Sequence, residues 1–159
     1  MSDWADNSKT SDVVVGEGVS KEKFGDPVVD NLNILFNFRA WKPIVMLNGA
    51  TPLVVGDKGY VWIPEDYNGG TLEKLYLFCG NPSSSGVVEV VVKKNGVSVM
   101  TVNLTLDQAE KSSLTAAVPC VIDASKAGIA AGDEFEASVV QKGTGVTYLG
   151  VAFRFLPAA

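Results

Sequence analysis

The sequence predicts an all-β protein, a jelly-roll-like antiparallel β-sandwich preceded by an N-terminal arm with a short helix. Three observations predict it. From residue 43 onward, turn signals recur at short intervals as LNGATP, GDKG, DYNGG, GNPSSSG, KNG, AAGD and KGTG, the punctuation of an all-β sandwich or barrel. Between them lie short apolar segments, several alternating apolar and polar with the period of two that turns one face of a strand towards a core. Eight such segments can be read in the chain, and eight is the strand number of a jelly roll.

Taken in order, the first element precedes the sandwich and occupies residues 1–42. The run VVDNLNILFNFRAW carries Val28, Val29, Leu32, Ile34, Leu35, Phe36, Phe38 and Trp41, with only Asp30 and Arg39 as charges. Asp26-Pro27 joins a capping residue to the residue best tolerated at the first helical position, and Val28, Leu32, Leu35 and Phe36 follow at i, i+4, i+7 and i+8. A short amphipathic helix is expected. About a dozen residues make a marginal helix alone in water, so its apolar stripe needs a surface to dock on.

The sandwich is expected over residues 43–159, with strands at Ile44 to Leu47, Tyr60 to Ile63, Leu72 to Phe78, Val87 to Lys93, Val97 to Thr105, Ala117 to Ile122, Glu134 to Val140 and Tyr148 to Leu156. Within VVEVVVKKNGVSVMTVNL, Asn95-Gly96 suggests a two-residue turn, but that register sets Val90 opposite Thr101 and mixes apolar with polar residues. A three-residue loop, Lys94-Asn95-Gly96 with Gly96 left-handed, pairs Val92 with Ser98, Val90 with Met100 and Val88 with Val102. It gives one mostly apolar face and is the preferred register. In the last strand Leu149, Val151, Phe153 and Phe155 alternate onto one face, which places that strand in the middle of the core. LDQAEKSS, capped by Asp107, and DASKAG, ending at Gly128, read as single helical turns.

A chain of 159 residues fits one domain with an appendage. The net charge of −5 is uneven: residues 1 to 30 hold seven acids against three lysines, and the remainder eleven acids against ten bases. Without a basic run, a nucleic-acid groove is not expected. The start MSDWADNSKTSD lacks the basic and apolar regions of a secretory signal, so a protein made and kept in a cytosol is expected. No apolar run reaches the ~20 residues of a membrane span. Cys79 and Cys120, without CxxC spacing, read as small apolar residues rather than a disulfide.

Chemistry is sparse. The chain has no histidine, which removes Ser-His-Asp and Cys-His catalysis and the commonest metal ligand. Glu65, Asp66, Asp123, Asp133, Glu134 and Glu136 are carboxylate candidates for a hydrolase, but each falls in a turn or at a strand end. Gly56-Asp57 and Gly132-Asp133 read as turns before they read as calcium loops. GNPSSSG lacks the lysine and helix of a phosphate loop and reads as flexible. Trp62, Tyr60, Tyr67 and Tyr76 offer a sugar-stacking platform or, more simply, packing. No catalytic residue, cofactor or metal is expected.

Two parts of the chain resemble virion proteins of tailed bacteriophages. The leader VVVGEGVSKEKFGDPVVDNLNILF is similar to an N-terminal element in small phage structural proteins, where a tryptophan and a G..VS turn precede a helix containing DNLN.L. The second part is VVVKKNGVSVM followed by AGIAAGDEFEASVVQKGTGVTYLGVAFRF. The resemblance implies a non-enzymatic capsid decoration or cement protein in the virion, commonly a homotrimer, seated on the major capsid protein or another virion protein. Trp4, Val28, Leu32, Leu35, Phe36, Phe38 and Trp41 would be its anchor and oligomer contacts, with Asn95 and Gly96 as the hairpin turn. The alternative is a short tail- or head-fibre adhesin that binds a host surface glycan through loops such as PEDYNGG and GNPSSSG.

Overall fold

The computed structural model describes residues 40–158, and these form an antiparallel β-sandwich. Trp4, Val28, Leu32, Leu35, Phe36, Phe38 and the expected helix lie outside the described residues. The strands are β1 (Ile44–Met46), β2 (Lys58–Trp62), β3 (Thr71–Phe78), β4 (Val88–Lys94), β5 (Val97–Ser98), β6 (Met100–Val102), β7 (Leu104–Leu106), β8 (Val121–Ile122), β9 (Glu134–Gln141) and β10 (Gly150–Leu156). Sheet A has the order β1-β10-β3, and sheet B the order β2-β9-β4-β5 with β7 also on β4. The chain crosses from one sheet to the other at each long connection, which is the winding of a jelly roll.

The fourth position of sheet A is filled irregularly. Along β3, the Cys79 N–H donates to Lys111 O (3.0 Å) and the Leu72 N–H to Ala127 O (2.8 Å), so residues 111–128 run beside the strand. Midway, that stretch departs to pair β8 with β6. Pro119, which has no N–H to give a ladder, lies in the departure. The strand expected at Ala117 to Ile122 therefore shrinks to Val121–Ile122. The two expected helical turns are not α-helical either. Residues 107–110 and 123–126 form tight turns, and a 3-10 turn lies at Ser113–Thr115.

The core sits between the sheets. Leu149, Val151, Phe153 and Phe155 are fully buried, as the alternation predicts, and β10 is the central strand of sheet A. Phe135 of β9 meets Phe153 and Phe155 edge-on across the sandwich, with ring centroids 6.1 and 5.2 Å apart. Such aromatic contacts add to the area they bury.

The preferred hairpin register is corrected. Lys94 faces Val97 and Lys93 faces Ser98, so the turn is the two-residue Asn95-Gly96, with both residues at positive φ (49° and 83°). Farther along, Val90 faces Leu104 and Val88 faces Leu106. Three steps on β4 from Lys93 to Val90 thus correspond to six on its partner, from Ser98 to Leu104, so the partner carries three extra residues. Those residues, around β6, swing out to β8. An apolar face was indeed required, and the fully buried Val88, Val90 and Val92 supply it, but an insertion within the strand creates it rather than a longer loop.

Trp41, the one expected anchor residue among those described, lies against the sandwich. Its N–H donates to Phe155 O (3.0 Å) and its carbonyl accepts from the Phe155 N–H (2.9 Å). Its ring stacks on Phe155 at 5.4 Å and tilts against Tyr67 at 5.6 Å. Trp41 therefore pairs with the last strand of the sandwich, and its half-buried ring packs against the core.

Candidate functional site

The turn acids are occupied by the backbone they cap. Asp57 Oδ2 accepts from the Val54 N–H (2.8 Å), and Asp133 Oδ2 accepts from the Ala130 N–H (2.9 Å). Asp123 accepts from the Ser125 hydroxyl and N–H, bonds that hold its carboxyl below the ordinary range with help from Lys126. Asn95 of the hairpin turn donates to Asp133 Oδ1 (2.7 Å) and accepts from the Glu134 N–H (2.9 Å), tying two turns together. Among the described residues no cluster of metal-ligating side chains occurs. Cys79 and Cys120 are free thiols, and burial pushes both pKa values up, which disfavours the reactive thiolate.

The two loops expected to cooperate in glycan binding lie at opposite ends of the sandwich. In PEDYNGG, Asn68 Oδ1 accepts from the Ala131 N–H (3.1 Å) and the Ile63 N–H donates to Asp133 O (2.9 Å), which places this loop with the AAGD and KNG turns. In GNPSSSG, Asn81 bonds Thr147 (2.7 Å) and Ser85 bonds Thr144 (2.8 Å), which places it with KGTG at the other end. Nor does GNPSSSG behave as the loose loop expected. Ser83 is 1% exposed, its hydroxyl donating to Ser85 O and accepting from the Thr144 N–H. No single site draws on both loops.

What remains open to partners is the outer surface of each sheet. On sheet A, Ile44, Ala152 and Tyr76 lie in one cross-strand row and Met46, Gly150 and Phe78 in the next. Ile44 is 62% exposed and Met46 45%. Phe78 lies across Gly150 so closely that a Cβ there would stand 2.3 Å from its ring. Tyr76 is flanked by two hollows, of about 370 Å³ towards Ile44 and Arg154 and about 520 Å³ towards Val121. Leu114, 72% exposed, borders a third hollow beside the same tyrosine. The Arg154–Glu73 pair, at 2.8 Å, and the exposed Lys42 and Lys74 form its charged rim.

Sheet B is the reverse. Tyr60, Glu136 and Lys93 form one row, and Trp62 faces Glu134 in the next. Glu136 Oε2 accepts from Lys58 Nζ (3.0 Å) and from the Tyr60 hydroxyl (3.2 Å). The Lys58 bond above all holds the Glu136 carboxyl below the ordinary glutamate range, and Lys58 is raised in return.

The apolar face of sheet A was not singled out from sequence, although a signal existed. Ile44-Val45-Met46-Leu47 and Leu75-Tyr76-Leu77-Phe78 are apolar at both parities, and strands of that kind are covered on both sides. No family model, curated protein or solved structure matches this chain, so its functional reading rests on these surfaces.

Proposed function

We propose that the protein is a non-enzymatic structural component of a tailed-phage virion, a capsid decoration or cement protein. The observation that carries the reading is the apolar outer face of sheet A. A contiguous exposed apolar surface rimmed by polar groups marks a protein–protein contact, and Ile44, Met46, Tyr76 and Phe78 supply one on a rigid sheet. The phage-like leader and hairpin pattern supply the setting. In this reading the face seats on the major capsid protein or on a neighbouring copy in a homo-oligomer, and the arm, with Val28, Leu32, Leu35 and Phe36, adds further shell contacts. Attachment would stabilise the shell by removing apolar area from water on both partners. In the adhesin alternative, PEDYNGG and GNPSSSG would bind a glycan separately, because they lie at opposite ends of the sandwich.

The test is reconstitution on purified phage shells stripped of accessory proteins. Saturable binding and a higher temperature of shell disruption are expected. Shells that neither bind the protein nor gain stability overturn the proposal.

A further inference from the structure

Sheet B carries a feature that shell attachment does not use. Tyr60 and Trp62 are two residues apart on β2 and so share a face; their rings stand 6.0 Å apart and 22° from parallel. They are 41% and 58% exposed. Trp41 is wedged against Phe155 and Tyr67, whereas Trp62 contributes nothing comparable to the core.

The geometry points to a saccharide-binding platform on the outer face of sheet B, with a neutral hexopyranose unit laid on Trp62 and Tyr60. A pyranose has one flat face of C–H bonds and a rim of hydroxyls, and two nearly parallel rings beside ionised groups offer the matching flat strip and polar border. The platform is set before a ligand arrives, because the Tyr60 hydroxyl and Lys58 both hold Glu136 Oε2, which lowers the ordering cost of binding. Polar capacity is left over. Glu136 Oε1 has no hydrogen-bond partner, and Lys93 Nζ stands 3.8 Å from it, beyond hydrogen-bond range. A ligand hydroxyl that displaces Lys93 gains an acceptor, and the ammonium remains as a donor.

Charge selects against the other ligands that stack. Lys58 and Lys93 are balanced by Glu134 and Glu136 on the same face, and the whole chain is at −5, so single-stranded nucleic acid finds no net attraction. A quaternary ammonium ion is held best inside a cage of aromatic faces, and two rings 22° from parallel on one open face do not enclose it. A neutral glycan carries neither penalty. One flat platform binds weakly, and repeated copies raise the avidity.

The experiment applies the full chain to an array of neutral and acidic oligosaccharides and titrates the best ligand by calorimetry, with oligo(dT) as the polyanion probe. Trp62→Ala, Tyr60→Phe and Glu136→Gln are measured alongside. Saturable binding to a neutral oligosaccharide is expected. Trp62→Ala should weaken it by about tenfold or more with an unchanged melting temperature, since Trp62 lies outside the core, and Tyr60→Phe and Glu136→Gln should weaken it less. No saturable glycan binding, binding that Trp62→Ala leaves unchanged, or binding only to oligo(dT) that falls with salt would overturn the proposal.

Discussion

The outward positions of sheet A include Ile44, Met46, Tyr76, Phe78 and Ala152 beside the Arg154–Glu73 pair, while those of sheet B include Lys58, Glu134, Glu136 and Lys93, with an aromatic pair at the edge strand. Both sheets close the same core with their inward residues, so folding alone requires nothing apolar on either outer surface. Apart from Tyr60 and Trp62, the central rows of sheet B follow that economy, with Glu136 paired to Lys58. Sheet A does not, and its exposed aliphatic and aromatic side chains are the surface that the proposed attachment would use. The contrast separates residues that fold the protein from residues that folding leaves free for contacts.

The sharpest way to break the contrast is to make sheet A resemble sheet B. Ile44→Ser with Met46→Ser should leave the sandwich folded, because both side chains point outward from an edge strand. Burial of each is worth about 1.5–3 kcal/mol, so attachment to shells should fall by about two to four powers of ten. Co-sedimentation with shells measures this. Normal attachment would mean that the apolar face is not the seat.

Two glycines then compare the inner and outer surfaces. A Cβ on Gly59 would stand 2.1 Å from Val45 Cγ1, where β1 and β2 meet inside the sandwich. Gly59→Val should cost about 1–3 kcal/mol through overpacking, read as a lower denaturant midpoint. Gly150→Val meets first the half-buried Phe78 ring on the outer face of sheet A. It should cost less stability and weaken shell attachment more.

A turn away from both faces serves as a control. Gly96 has φ +83° and nothing within 4 Å of a built Cβ, so Gly96→Val is penalised by backbone strain alone, at about 1–3 kcal/mol. Its melting temperature should drop while attachment of the folded fraction is unchanged.

The smallest effect concerns the charged network of sheet B. The carboxyl of Glu136 is depressed in the folded state, chiefly by its bond to Lys58. Its contribution is therefore present above the ordinary glutamate pKa of about 4.3 and is lost as pH falls through the lower folded value. Glu136→Gln should flatten the acid limb of the stability–pH curve in that window and leave the neutral plateau slightly lower. An unchanged acid limb would show that the Lys58–Glu136 bond does not persist in solution.

Locally encoded features were legible in the chain. The face of β10 followed from a period of two, a property of one strand and independent of its neighbours. The Asp57 and Asp133 turns followed from side chains that bind backbone only three residues away. Of the acidic candidates, Asp123 and Asp133 bond their own turns in this way.

The features that single-strand patterns left undecided join segments far apart. A need for an apolar face on β4 is satisfied by either a longer loop or a three-residue excursion, and the choice depends on β8 being present to receive the excursion. Likewise PEDYNGG and GNPSSSG share a loop-like composition, but the sheet order sends them to opposite ends. Trp41 and Trp62 show the limit most simply. Both are tryptophans near strand-forming apolar residues, so composition and period treat them alike. Trp41 finds Phe155 opposite and packs half-buried against the core, while Trp62 finds Glu134 opposite and stays at the surface. A residue's own sequence neighbours govern its backbone and the face it occupies, but what it packs against is set by a strand that returns only after the whole sandwich has been wound.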